Sequence, residues 1–301
     1  MSREKRTSEP VFNSKKLGLS SDLLKEYLDG LVQQNEAHLV QIEPSPRRNH
    51  FKDKRSVEFI FAMCDTLGVS ADVRYAAADL FDKFMSLHVT SIFDHVRTAA
   101  TAAGSGPDVE TKWRNVQKRI ESQATLRVMS CIQLASKLSS HYRALTMPRL
   151  RLQLDELGHP YTINAVLQSE VRVLTTTGFD VNATSAFLCA EALLEAIGRC
   201  MAGVDVEAMH RICTHLFDMV YLQWDDVYRE LASRSSKSSA HSDGRLQEDT
   251  MWLAAAVVGS ASFFHDQAAS DEIVDHVSRY SNIASEDIVE FSAVLVGFVL
   301  H

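Results

Sequence analysis

Histidine and cysteine are the side chains best suited to catalysis or metal binding, and here neither forms a catalytic pattern. The 12 histidines are scattered, and no HExxH motif occurs among them. The five cysteines lie among apolar residues without a CxxC pair, which is typical of small buried side chains in a reducing compartment. A phosphate-binding GxxxxGKS/T loop and a GxSxG turn are also missing from the sequence. The sequence therefore predicts no catalytic residue, no metal site, no cofactor and no enzymatic activity.

Three other residues could take part in binding or regulation. Lys137 lies at the end of an apolar helical stretch in LASKLSS, and Glu170 lies within a predicted helix. Taken singly, the lysine fits a helix C-terminus and the glutamate fits an exposed helix flank. Ser45 begins the run Ser-Pro-Arg-Arg, which matches the S-P-x-R/K pattern that cyclin-dependent kinases favour, in a proline-bearing connector. Ser45 is therefore a candidate phosphorylation site.

Composition indicates a helical globular protein. The chain has 301 residues with only 12 glycines and 6 prolines, which argues against a turn-rich β protein, and its length suits two domains. The 31 basic and 39 acidic residues give a net charge of −8, so direct binding to nucleic acid is not expected. Neither a signal peptide nor a membrane-spanning run is visible, and the sequence predicts a soluble intracellular protein that does not bind membranes.

Apolar residues recur at helical spacing through most of the chain. A first helix begins at Ser20 or Ser21, and a linker, TAATAAGSGPD, separates a helix ending near His88 from one beginning near Val109. Residues 1–19 and the serine-rich run 233–244 have little to bury and are predicted to be disordered. Helices are predicted at 55–68, 70–88, 109–137, 147–157, 162–177, 184–197, 205–222, 248–264, 271–280 and 285–300.

Four motifs in the first half stand in the order of a cyclin box. Arg55 opens the first helix of the series, LFDKFMS (80–86) ends the second, LASK (134–137) ends the third, and Glu170 lies in SEVRVLTTTGFDV. In this order and at these separations the chain resembles the cyclin fold. The stretches VEFIFAMCDTLGVS, LRVMSCIQLASKLS, LFDMVYL and LVQQNE are most similar to the cyclin N-terminal domain-containing protein 1 family.

The resemblance implies an all-α protein with two five-helix cyclin-box-type domains, of which the second is degenerate. The disordered N-terminus (1–19) and an N-terminal helix with its connector (20–54) would precede the first box at 55–180 and a C-terminal cyclin-like domain at 181–301. It also implies a structural ion pair between Arg55 and Asp82 that joins the first two helices of the box.

The same resemblance implies a docking role for Lys137 and Glu170. In cyclins that activate kinases, the lysine donates to backbone carbonyls and the glutamate accepts backbone N–H groups where the regulatory helix of the kinase docks. Kinase-binding cyclins commonly continue with an acidic pair, whereas Leu138, Ser139 and Ser140 follow Lys137 here. We therefore expect kinase affinity to be weak or to need help.

Two functions follow from the family. The first is a noncatalytic regulator of meiotic recombination that promotes crossover designation and maturation by binding other crossover factors. The alternative is an activating subunit of a cyclin-dependent kinase in cell-cycle or transcription control. The resemblance implies a location in the nucleus, on meiotic chromosomes, and leaves open an additional location in the cytoplasm.

Overall fold

The computed structural model describes Phe12 and residues 20–41, 51–102, 108–140, 144–181, 185–234 and 245–300. These residues form twelve α-helices and one 3-10 helix at Arg245–Glu248, with no strand among them, which confirms the predicted all-α class. The α-helices are α1 Ser21–Gln41, α2 Lys54–Leu67, α3 Ala71–Ala102, α4 Asp108–Ser139, α5 Met147–Glu156, α6 Ile163–Thr176, α7 Ala186–Cys200, α8 Val206–Leu222, α9 Trp224–Arg234, α10 Thr250–His265, α11 Ser270–Ser281 and α12 Ser285–Leu300.

Side chains at the helix ends explain several of these bounds. The carboxylate of Asp53 caps α2 by accepting from the backbone N–H groups of Arg55 at 3.0 Å and Ser56 at 3.2 Å. Gly68 ends the same helix with a φ of 63°, a left-handed conformation that glycine adopts without a steric cost. The sequence predicted this stop.

Helices α2 to α6 form one compact unit, with α4 at its centre. The second half of α4 is buried among the other four helices because its apolar side chains point inward at helical spacing. Met129 and Ile132 of α4 are fully buried, as are Phe84 of α3 and Leu150 of α5. The LASK motif therefore lies at the end of the most enclosed helix of the unit.

Helix α3 is longer than the sequence predicted. It continues past His88 to Ala102, so the predicted helix end near His88 and the first part of the predicted small-residue linker are corrected. Apolar residues carry the helical pattern onward, and the ring of Phe93 meets that of Trp113 on α4 edge-on, with centroids 4.9 Å apart. Alanine, which fills the final turns, is the strongest helix former, so small residues here extend the helix.

Helices α1 and α7 to α12 form the other compact unit. Helix α10 lies at its centre, and every residue from Met251 to Ser262 is buried, as expected for a helix that is apolar all round. The described part of residues 181–301 holds six α-helices, one more than the five predicted. The additional helix is α9, whose Trp224, Val227, Tyr228 and Leu231 are buried at helical spacing.

Several predicted features fall outside the described residues. These are Ser45, residues 1–19 apart from Phe12, and residues 235–244 of the serine-rich run, while residues 233–234 close α9. No described helix combines the length and the hydropathy that crossing a bilayer would require.

Candidate functional site

The structure brings the two predicted docking residues together. Lys137 lies in the last turn of α4 and Glu170 lies in the middle of α6, and the Nζ of Lys137 donates a hydrogen bond to Oε1 of Glu170. The lysine side chain is 39% exposed, whereas the glutamate side chain is only 12% exposed. The pair therefore joins a carboxylate that is largely withdrawn from water to an ammonium group that a partner could reach.

Each residue of the Ala-Ser-Lys motif has a separate structural role. Ala135 is buried in the core, where a larger side chain would not fit without repacking. The hydroxyl of Ser136 donates to the backbone carbonyl of Gln133 at 2.7 Å and accepts from the backbone N–H of Leu145 at 3.0 Å. This second bond ties the end of α4 to the segment that precedes α5. Lys137 is thus presented on a fixed helix end.

Helix α6 is held against α4 by a buried hydroxyl. Ser169, next to Glu170 in the chain, accepts hydrogen bonds at 2.7 Å from Arg127 Nη1 and from the hydroxyl of Ser130, both on α4. Val166 and Val173 are fully buried on either side of it. The backbone position of Glu170 is therefore set by contacts on both sides. The sequence reading did not single out Ser136 or Ser169, although their small polar side chains inside apolar helices were visible.

A carboxylate from another helix lies beside the end of α4. The chain itself lacks the acidic pair that commonly follows the lysine in kinase-binding cyclins. The hydroxyl of Ser139 donates to Oδ2 of Asp72, which lies in the first turn of α3. Asp72 also lies near the positive end of the α3 helix dipole. The fold thus places one acid from another helix near Ser139.

Exposed apolar side chains accompany the pair. Leu138 directly follows Lys137 and is 47% exposed, and Val171 directly follows Glu170 and is 57% exposed. Ile163 and Leu167 of α6 are also exposed and stand at helical spacing with Glu170 and Val171. These exposed apolar side chains lie on the same two helices as the ion pair, and we call the pair together with them the α4–α6 edge.

Arg55 and Asp82, predicted to form a structural ion pair, are not brought together. Arg55 is exposed in the first turn of α2, and no ion pair between it and Asp82 occurs in the described ranges. Asp82 is only 6% exposed, and its Oδ1 accepts from the backbone N–H of Phe51 at 2.9 Å. A backbone donor reaches this buried carboxylate, while the guanidinium remains in water.

A neighbouring ion pair that the sequence reading missed is present instead. Nζ of Lys52 lies 2.9 Å from Oδ1 of Asp79 on α3, with side chains 9% and 19% exposed. Lys52 lies in the segment before α2, so this pair fixes the entry into the unit. A lysine this enclosed cannot be recognised from its spacing, because lysine is mostly exposed.

The described residues contain no group of three or more His, Cys, Asp or Glu side chains arranged to hold a metal ion. Four of the five thiols are buried, and burial raises the pKa of Cys64 and of Cys189 to about 12. These thiols are therefore poor nucleophiles and poor metal ligands near neutral pH.

Two known proteins resemble the chain along most of its length. Cyclin N-terminal domain-containing protein 1 of Mus musculus is 29% identical over 285 residues, which cover 92% of this chain and 84% of that protein. The Homo sapiens protein of the same name is 28% identical over 284 residues, with the same coverage of both chains. No protein-family model matches the chain.

Proposed function

The two relatives confirm the predicted likeness to the cyclin N-terminal domain-containing protein 1 family, and from this cyclin-like relationship we propose that the chain is a noncatalytic regulator of meiotic recombination. It promotes crossover designation and maturation by binding other crossover factors in the nucleus, on meiotic chromosomes. The observation that carries the proposal is the α4–α6 edge, where Lys137 and Glu170 are joined and presented for a partner.

The chemistry of this edge suits a protein partner. Interfaces between proteins combine exposed apolar side chains with a few oriented polar groups. Leu138 and Val171 supply exposed apolar area on the same two helices, and Lys137 and Glu170 supply a donor and an acceptor for backbone groups. With a net charge of −8, the chain has no general attraction for nucleic acid, so contacts with chromosomes are expected to run through proteins.

The alternative function, an activating subunit of a cyclin-dependent kinase, is supported by the same pair. A docked helix could exchange the Lys137–Glu170 bond for bonds to its own backbone carbonyls and N–H groups. The missing acidic residues after Lys137 weigh against this alternative, while Asp72 beside Ser139 restores one negative charge nearby. On balance the recombination role is preferred.

Co-purification from meiotic cells tests both functions. The native chain is compared with Lys137→Ala plus Glu170→Ala, and with a control, Arg151→Ala plus Asp155→Ala, which removes an exposed ion pair on α5. Crossover factors should co-purify with the native chain and the control and be lost from the docking variant. If only a cyclin-dependent kinase is lost from the docking variant, the alternative function holds.

Location provides a second measurement. The native chain should form discrete foci on meiotic chromosomes. A chain spread evenly through the cytoplasm would contradict the recombination role, whatever binds in vitro.

A further inference from the structure

Three basic side chains from three helices of the α2–α6 unit, all distinct from the Lys137–Glu170 pair, lie close enough for their charges to act on one another. They are His88 of α3, Arg127 of α4 and Arg172 of α6. The ring of Phe84 connects two of them, because the His88 ring stacks on it with centroids 5.0 Å apart and the Arg127 guanidinium lies 5.9 Å from its centroid. We call His88, Arg127 and Arg172 the basic cluster.

Arg127 is half-buried without an acidic partner in the described part of the chain. Its Nη1 donates to the Ser169 hydroxyl at 2.7 Å and its Nη2 donates to Oε1 of Gln123 at 2.8 Å, and both acceptors are neutral. Burial, followed by the charge of Arg172, lowers the pKa of Arg127. A buried guanidinium normally has a carboxylate or another anion beside it, because burying an unpaired charge is costly.

The charges of Arg127 and Arg172 also act on His88. Burial, followed by the charges of Arg127 and Arg172, lowers the pKa of His88 to about 4. Neighbouring cations oppose protonation of an imidazole, whereas a neighbouring carboxylate would favour it. At neutral pH the imidazole is therefore uncharged and can still donate one N–H bond.

We propose that the basic cluster binds the phosphate group of a phosphoserine or phosphothreonine in a partner protein. A phosphate monoester carries a charge of about −1.5 to −2 near neutral pH and offers three strong acceptor oxygens. Two guanidinium groups and an imidazole supply enough positive charge and enough N–H donors to pair with such a phosphate. A single carboxylate could pair with only one of the two guanidinium groups.

The source of the phosphate follows from the rest of the molecule. Arg172 is exposed and forms no ion pair within the described ranges, so it can reach a group on another molecule. The net charge of −8 opposes the approach of a polyanionic nucleic acid, whose binding relies on many basic contacts. A single phosphate on a protein segment needs only the local charge of the cluster.

Binding to the full-length chain by calorimetry tests this site. The probes are a phosphoserine peptide flanked by glycines, the same peptide with unmodified serine, inorganic phosphate, and a single-stranded DNA oligonucleotide. We expect the phosphorylated peptide to bind and its unmodified form not to bind. Arg172→Gln should weaken binding by about tenfold or more, since it removes one charge-assisted contact. Arg114→Gln, which changes an exposed arginine elsewhere on α4, should bind like the native chain.

A second measurement reports on the site directly. The pKa of His88, followed by NMR through its ring protons, should rise from about 4 towards its ordinary value when the phosphorylated peptide binds, because a bound phosphate anion favours the imidazolium form. A merely structural tie between α4 and α6 would leave that titration unchanged.

The proposal is overturned if Arg172→Gln binds the phosphopeptide as tightly as the native chain, or if the His88 titration does not respond. It is also overturned if inorganic phosphate binds but the phosphopeptide does not, or if the oligonucleotide is preferred. Because Lys137→Ala plus Glu170→Ala leaves the cluster intact, this variant should still bind the phosphopeptide, so the site can be tested independently of the proposed docking function.

Discussion

Lys137 at the end of α4 and Glu170 on α6 are hydrogen-bonded to each other in the free chain. Both groups are therefore already partnered before any other protein arrives. A docking helix must replace this bond with contacts of its own, and the binding free energy is the difference between the two sets of contacts. Breaking this bond costs the two groups different amounts. The ammonium group of Lys137 is exposed and can be solvated by water, whereas the carboxylate of Glu170 is nearly buried and depends more on its partner.

This inequality predicts how the two residues contribute to stability. Lys137→Met leaves the carboxylate of Glu170 enclosed without its cation, and we expect a loss of about 1–2 kcal/mol in the free energy of unfolding, less than for a fully buried pair because the lysine is partly solvated. Lys137→Met plus Glu170→Gln should lose less than Lys137→Met alone. Urea unfolding measures both variants and Glu170→Gln alone, and Arg151→Met on α5 is the exposed control. Strictly additive losses would contradict a coupled pair.

The resemblance to a cyclin box singled out Lys137 and Glu170 of the α4–α6 edge, because both belong to short motifs in a fixed order. LASK and Glu170 are recognisable by residue type and order, and helical spacing placed both on helices. What holds them could not be predicted. The bond from Leu145 to Ser136 joins a helix to a following segment, and Ser139 meets Asp72 across 67 residues of chain. Such contacts depend on the angles between helices, which periodicity does not contain.

The missed features have equally local causes. Helix α3 was predicted to stop near His88 because small residues were interpreted as a linker, although alanine favours helix. The Arg55–Asp82 pair was expected from family position, but Asp82 is reached by the backbone N–H of Phe51. The half-buried His88 and Arg127 of the basic cluster were not anticipated, since the members of the cluster are far apart in sequence and belong to residue types that are seldom deeply buried.

Gly259 on α10 provides a second prediction, about packing. A Cβ at this position would meet the Ser292 hydroxyl at 2.7 Å and Cγ2 of Ile288 at 3.2 Å, both on α12. We expect Gly259→Ala to lower the free energy of unfolding by about 1–3 kcal/mol, because overpacking outweighs the gain in helix propensity. Thermal or urea unfolding measures the loss.

Gly297 on α12 is the matched control for that substitution. It is also helical, and a Cβ there would meet nothing within 4 Å. Gly297→Ala should raise stability by up to about 1 kcal/mol through helix propensity alone. If both alanines stabilise the chain, α10 and α12 are not as closely packed as described.

Asn35 gives a third prediction, because this side chain of α1 binds the N-terminal end of α10. Its amide oxygen accepts from the backbone N–H of Thr250 at 3.1 Å and from the Thr250 hydroxyl at 2.9 Å, and its amide nitrogen donates to Asp249 at 2.9 Å. Asn35→Ala leaves buried donors unsatisfied and should cost about 1–3 kcal/mol. Amide hydrogen exchange at Thr250 and Met251 should accelerate. Gln33→Ala, on the exposed face of α1, should leave both amides protected; equal exchange in the two variants would contradict the cap.

His88 gives the last prediction, about pH. Its pKa is lowered to about 4 in the folded chain, against an ordinary value near 6.5 when unfolded, so the unfolded chain binds the proton first as the pH falls. The contribution of His88 to stability is therefore complete above about pH 6.5 and is lost progressively down to about pH 4. Between pH 7 and pH 5 the native chain should lose about 1–2 kcal/mol more than His88→Gln, measured by urea unfolding at both values. His95→Gln, at an exposed position further along α3, should lose as much as the native chain. A native chain and a His88→Gln variant that respond identically to pH would show that the imidazole titrates normally and that its cationic neighbours do not act on it.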